Sequence, residues 1–393
     1  MKHAAFVAAI ITLVACDRVP NHVDQLHSEH APAQHREIPY PSIDAFLGEK
    51  LHDNEQELAQ NIEAVIEESI QDTYRKRGHA IRDAHPKAHG CVKAQFHVDE
   101  TVIPSLAKGA FQSGKTYDAW IRFSNSNADP DRADISGDGR GMAIKLLGVP
   151  GTKLLETESQ AKTQDFIMVS HPVFIIDDPS DYLSFVQQTN STNWLDKLSV
   201  PFTLGFQGLW NARQTTTKKI SNPLQTRYWS MVPYQLGTGA ERQAIKFSAK
   251  PFSDPGRSCP TIQDDFPSGP GHNFLRQALR NTLATSKACM QFLVQPRIPS
   301  MSVENSKTEW KESEAPFFRV ATIEIPPQEF DTRENNDFCE NLSFNPWHAL
   351  PEHRPLGVVN RLRKVIYPQI SDSRHRMNSA PHMEPDPTDS PRK

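Results

Sequence analysis

The chain has 393 residues, 37% of them hydrophobic and 23% charged, which is ordinary for one large domain or two and excludes a fully disordered or fibrous protein. Its 31 prolines against 18 glycines favour extended segments joined by loops over a helical bundle. With 43 Lys and Arg against 47 Asp and Glu, the net charge of −4 leaves no basic field to collect nucleic acid.

The first fifteen residues hold Lys2 and an apolar run from Ala4 to Ala15, a secretory leader too short to span a bilayer by itself. Leu13-Val14-Ala15-Cys16 resembles the bacterial lipoprotein box, in which small residues fit the signal peptidase and the cysteine is lipidated. Cys16 is therefore the expected lipidation site. The mature protein is expected on the periplasmic side of the cell envelope, membrane-anchored, with Asp17 favouring the inner membrane. Loss of the leader removes one lysine and no acid, so the protein stays mildly acidic.

Residues 16–42 contain Pro20, Pro32, Pro39 and Pro41 with His22, His27, His30 and His35, lack periodicity, and read as a flexible tether rather than a metal site of fixed geometry. The main domain is expected over 43–377, and the polar, proline-rich residues 378–393 read as a disordered tail. Cys91, Cys259, Cys289 and Cys339 can pair in three ways in an oxidising envelope, and no CxxC points to zinc or thioredoxin-like chemistry.

Within the domain, Leu58, Ile62, Val65, Ile66 and Ile70 at helical spacing behind Asp53, Asn54 and Glu55 predict an N-capped helix over 53–75. The period then changes to two. Val92, Ala94, Phe96 and Val98 alternate with polar residues, as do Tyr117, Ala119, Ile121 and Phe123. Further strands are predicted at 141–147, 164–169, 228–236, 243–249, 288–295 and 317–325, the third of these six weakened by Pro233. Eight unevenly spaced strands without a βαβ rhythm imply an α+β fold, an eight-stranded antiparallel β-barrel with inserted and flanking helices. No GxSxG, HExxH, Walker loop or GxGxxG after a strand is present, so hydrolase and nucleotide-binding readings lose their support.

Three stretches carry chemistry. The first, RDAHPKAHG, holds Arg82, His85, Lys87 and His89, where Pro86 breaks the helix that would face the two imidazoles together. The second runs from Arg122-Phe123-Ser124 through a polar loop to Arg140-Gly141. The third continues the apolar stripe Leu356, Val359 at helical steps to Arg363 and Tyr367, where a guanidinium one turn before a phenol favours the phenolate.

In this order the stretches resemble the catalase superfamily over roughly residues 75–377. Arg82-Asp83-Ala84-His85 stands where that family has an Arg three residues before its distal His, and Arg122-Phe123-Ser124 matches its RFS. Asp138-Gly139-Arg140-Gly141-Met142-Ala143-Ile144-Lys145 matches its DxRGxAxK run. Pro172-Val173-Phe174-Ile175-Ile176-Asp177-Asp178-Pro179 matches its apolar run ending in a DP turn. Arg363-Lys364-Val365-Ile366-Tyr367 matches its proximal RxxxY, with Arg374-His375-Arg376 downstream.

The resemblance implies haem b as cofactor, with Tyr367 as the axial ligand of the iron and Arg363 holding it ionised. It implies His85 as distal catalytic base supported by Ser124, Arg82, Arg122 and Arg374 pairing with haem propionates, and Tyr182 as an aromatic ring over the haem. Val169 falls where true catalases have the distal Asn, with Ser170 beside it, and PWHALPEHRPLG runs almost directly into the RxxxY helix. The chain is thus similar to small catalase-related proteins that lack the C-terminal helical domain. The expected function is reduction of hydrogen peroxide or organic hydroperoxides with an unknown electron donor, as an oxidative-stress defence. A non-catalytic haem-binding lipoprotein and a fatty-acid hydroperoxide isomerase are the alternatives. The expected partners are the peroxide, the donor and, through the N-terminal lipid, the membrane. No nucleic acid is expected, and oligomer contacts stay open.

Overall fold

In the computed structural model, which describes residues 38–263 and 265–385, the alternating segments pair into one antiparallel sheet. Its strands are β1 (Ala88–Val98), β2 (Thr116–Asn125), β3 (Arg140–Leu147), β4 (Thr163–Val169), β5 (Tyr228–Trp229), β6 (Tyr234–Leu236), β7 (Gln243–Pro251), β8 (Ala288–Pro296) and β9 (Phe318–Ile325). They lie in the order β5-β4-β3-β2-β1-β9-β8-β7-β6, and β5 also pairs with β7. That last pairing closes eight strands into a barrel, the fold class expected, and leaves β6 as an extension beyond the closure. The single strand expected at 228–236 is in fact β5 and β6. Met231 adopts φ 61° and Pro233 has no N–H to give a ladder, so the chain turns between them.

The side chains that alternate inward fill the barrel with rings. Phe96, Phe166, Phe247 and Phe292 meet Phe111 from a short turn, with ring centroids 5.1 to 6.4 Å apart. All five are buried, and each such side chain contributes roughly 1.5–3 kcal/mol over its exposed state. Because Phe123 and Ile121 point into this core, their neighbours Arg122 and Ser124 must point to the outer wall.

Among the described residues six α-helices lie outside the barrel: α1 (Glu55–Arg77), α2 (Pro179–Asn190), α3 (Trp194–Thr217), α4 (Phe274–Thr285), α5 (Arg333–Asn341) and α6 (Val358–Met377). Helices α1, α2 and α6 pack together, α3 packs on α2, and α4 and α5 lie against β1. The expected side-chain N-cap of α1 is absent. Asn54 sits at φ 55° without a cap bond, and the Glu55 carboxylate instead accepts the His52 N–H at 3.0 Å. Glu55 is held in turn by Arg361, which lies 2.7 Å from it, 2.8 Å from Glu49 and 2.9 Å from Glu304. This buried ion cluster locks the start of α6, and with it the register of Arg363 and Tyr367.

Of the three cysteine pairings, the fold selects Cys91–Cys339 and Cys259–Cys289. The packed domain is wider than 43–377. Tyr40 donates to Glu55, the Ser42 carbonyl accepts from Arg354, Met383 bridges to Leu342, and the Glu384 carboxylate lies 2.8 Å from Lys145. Residues 38–42 and 378–385 therefore belong to the packed domain, because their apolar and charged groups find partners on it. The leader with Cys16, the rest of the tether and residues 386–393 lie outside the described residues.

Candidate active site

The site is built on the outer wall where β2 and β3 face α2 and α6. His85 lies in the turn ahead of β1 at φ 60°, a conformation few residues other than glycine adopt, so its direction is held by its surroundings. Its Nδ1 is 3.0 Å from Ser124 Oγ. Across the sheet Ser124 pairs with Gly141, and Gly141 with Val169, so the three share one row and one face. A Cβ on Gly141 would stand 2.5 Å from His85 Nδ1 and 2.6 Å from Ser124 Oγ, which explains the glycine after Arg140. Burial and the guanidiniums of Arg122, Arg363 and Arg82 lower the His85 pKa to about 3, so the imidazole is neutral across the physiological range.

Helix α6 contributes Arg363 and Tyr367 on adjacent turns. The guanidinium lies 5.8 Å from the Tyr367 ring and 5.7 Å from Phe174, and donates to Asn360 Oδ1 at 3.2 Å. Although burial opposes the cation, Tyr367, Tyr234 and Tyr182 raise the Arg363 pKa. Tyr182, on α2, packs edge-on to Phe174 with centroids 6.0 Å apart, and burial pushes its phenol up. A cleft of about 200 Å³ touches Tyr367 and Pro368, but its other lining residues, among them Glu158, Phe344, Asn345 and His382, do not belong to this set.

Below His85 the arginines gather. Arg82 Nη1 is 2.6 Å and Arg374 Nη1 3.4 Å from opposite oxygens of Glu340, while among the described residues Arg122 donates only to the Pro86 carbonyl, at 3.4 Å. Burial, with the like charges of Arg82, Arg374 and Arg276, depresses Arg122 to about 9, still charged at neutral pH. Three guanidiniums thus share one nearby carboxylate, and the buried Arg122 Nε has no hydrogen-bond partner among the described residues.

The fold therefore brings His85, Ser124, Arg82, Arg122, Arg374, Arg363, Tyr367 and Tyr182 to one region. Sequence reading gave no role to Glu340, Tyr234 or Asp83, whose carboxyl is raised to about 6 by burial, and named Gly141 as a motif residue without its contact to His85. Asp83 lay inside the quoted Arg82–His85 motif; Glu340 follows Cys339 on a helix that no motif marks. His89 does not join His85. Its Nε2 bonds Asn125 at 2.8 Å, and Arg140 donates to the same oxygen, so both serve the strand framework. Elsewhere, Glu158, His348 and Glu384 present ligand atoms within 4.8 Å of one another, but the Lys145 ammonium, 2.8 Å from Glu384 and 2.9 Å from Asp165, already supplies the cation there.

No protein-family model matches this chain, and no curated protein matches it. Solved structures do. The crystal structure of a fungal catalase superposes with a TM-score of 0.59 at 18% identity, over 82% of this chain and 64% of that one. Catalase A from Saccharomyces cerevisiae gives 0.59 at 17%, over 79% and 65%, and a bacterial catalase 0.51 at 14%, over 95% and 70%. The chain therefore has the catalase fold, and it spans just under two thirds of the length of the first two of these structures.

Proposed function

We propose that the protein is a haem-dependent peroxidase of the cell envelope that reduces hydrogen peroxide or organic hydroperoxides. The observation that carries this reading is the convergence of a neutral His85, the Arg363–Tyr367 pair and an under-neutralised arginine cluster on one region outside the barrel. The donor set fits haem b. Tyr367 offers a phenol oxygen beside a guanidinium, and Arg82, Arg122 and Arg374 have charge, with an unpartnered Nε, to spare for two propionate groups. Haem, when bound, supplies the redox chemistry that divides the peroxide O–O bond, with two electrons from an organic donor such as a phenol.

The chain's own residues handle protons and position. Ser124 at Nδ1 orients the His85 ring, leaving Nε2 to take a proton from one peroxide oxygen and return it to the other. Because the low pKa keeps the ring neutral, the base is available without a pH change. Tyr182 and Phe174 supply an aromatic wall. Val169, in the row of Ser124 and Gly141, offers no amide to hold a second hydrogen peroxide, so donor-consuming turnover is favoured over disproportionation. The same missing amide favours, as second reading, a haem-carrying lipoprotein without turnover.

Haem titration followed by ultraviolet-visible spectroscopy tests the proposal. A Soret band is expected in the parent and lost in Tyr367→Phe. The band is expected to respond to peroxide in the parent, with the response slowed by about 10²-fold or more in His85→Ala. A band unaltered by peroxide would leave haem carriage, and no band in folded protein would refute both readings.

A further inference from the structure

The outer face of α3 carries a stripe that the site does not use. Gly205, at φ 61°, breaks α3 into two helical segments; Trp194, Leu195, Leu198 and Phe202 on the first and Phe206 and Trp210 on the second are all exposed, Phe202 at 86% and Phe206 at 88%. The other exposed large hydrophobics among the described residues, Ile43, Phe46, Leu51, Ile103 and Phe266, are scattered along the chain. The opposite face of α3 is the anchored one. Gly208 lies so close to the Ile175 carbonyl that a Cβ would approach it to 2.7 Å, and Asn211 donates to the carbonyls of Phe174 at 3.2 Å and Lys307 at 2.9 Å. An amphipathic helix normally turns its apolar residues inward; here the segment after Gly205 is anchored through Gly208 and Asn211, and both segments present large apolar side chains to the outside.

The chemistry of that face selects its occupant. Tryptophans stand toward its two ends with phenylalanine and leucine between them, and Lys197, Lys218 and Lys219 flank it against a single acid, Asp196. Aromatic anchors with a basic border match the interfacial zone of an anionic phospholipid bilayer. No helix among the described residues is long and apolar enough to cross a membrane, so α3 would lie in the membrane plane. The Phe174 segment that α3 grips is also a wall of the site, since the Phe174 ring is 5.7 Å from the Arg363 guanidinium and 6.0 Å from the Tyr182 ring.

We propose that α3 docks on an anionic phospholipid bilayer, and that the site behind it takes hydroperoxides of membrane lipids as substrates. The docking stands on the exposed apolar residues and their basic border; the substrate class rests on the peroxidase reading above.

Full-length protein bound to phosphatidylglycerol and phosphatidylethanolamine vesicles carrying brominated acyl chains gives the test. Of the six tryptophans, Trp120, Trp310 and Trp347 are buried and Trp229 is half-buried with the Arg227 guanidinium over its ring, so quenching by bromine reports chiefly on Trp194 and Trp210, and the double Phe variant below gives what Trp229 adds. Strong quenching is expected in the parent, falling at least about threefold in Trp194→Phe/Trp210→Phe. Phe202→Ser/Phe206→Ser should reduce the quenching about threefold or more whether or not Cys16 carries lipid, with unchanged far-ultraviolet circular dichroism. With a phenol as donor, the serine variant should consume phospholipid hydroperoxide in vesicles at least about fivefold more slowly, and hydrogen peroxide in solution at the parental rate. Tryptophan emission unquenched by bromolipid would overturn the docking. So would emission already shielded from aqueous acrylamide without vesicles, which would mean that a second copy or another part of the chain covers the stripe. Quenching as expected without consumption of either peroxide would sink the peroxidase reading and leave the docking intact.

Discussion

Glu340→Gln isolates the electrostatic logic of the arginine cluster. At 2.6 Å from Arg82 and 3.4 Å from Arg374, the carboxylate gains about 5–6 kcal/mol per pair at an effective dielectric of about 20, before desolvation is subtracted. Removing one partner of a buried pair costs about 3–5 kcal/mol net, and with 29% of the Glu340 side chain exposed the lower end applies, about 3 kcal/mol. Guanidinium-chloride unfolding of the haem-free protein at pH 7 should show that loss. Haem, bringing two carboxylates, should recover at least half of it, whereas the dimethyl ester of haem should not. Burial pushes the Glu340 carboxyl up, but Arg82, Arg122 and Arg374 outweigh it and hold the group below its ordinary 4.5. Its contribution is thus complete above pH 4.5 and fades only as pH falls through the lower folded value, so parent and variant should converge there. An equal loss with haem, with the ester and without either would refute the idea that these arginines await an anionic group.

Gly141→Ala should push His85 off Ser124, destabilise the protein by about 1–3 kcal/mol and lower peroxide consumption far more than haem binding; activity at the parental level would contradict the contact argument. His353 is buried, accepts the Ala110 N–H at 2.9 Å, and has its pKa lowered to about 3 by burial. Because the unfolded chain takes up its proton first, this residue costs stability as pH falls from 6.5 toward 3, up to about 1.4 kcal/mol per pH unit. His353→Gln should remove one proton's worth of that slope in acid unfolding curves. For the disulfides, opening the Cys91–Cys339 loop, with a sequence separation of 248, should cost about 5–6 kcal/mol, and opening Cys259–Cys289, with a separation of 30, about 3–4 kcal/mol. The reverse ranking in paired Cys→Ala unfolding would count against the chain-entropy account.

What the sequence determined by itself was local. Alternation at Val92–Val98 and Tyr117–Phe123 marked strands because each residue's face follows from the pleat, and the stripe through Val359 and Arg363 marked α6 because helical neighbours are neighbours in sequence. Motif order carried the catalase resemblance, and the candidate residues it named meet on one wall. The tertiary structure alone decided what depends on distant partners. Ring closure through β5 and β7, the choice of disulfide pairs, Glu340 beneath Arg82 and Arg374, and Gly141 against His85 each join segments whose separation leaves no trace in any local period. The split at Met231–Pro233 and the packing of residues 38–42 and 378–385 had the same origin, since composition reports how polar a segment is and only its contacts report whether it is held. The outward stripe of α3 belongs to this second group as well: spacing makes a helix amphipathic, and only the packed barrel reveals which face was left uncovered.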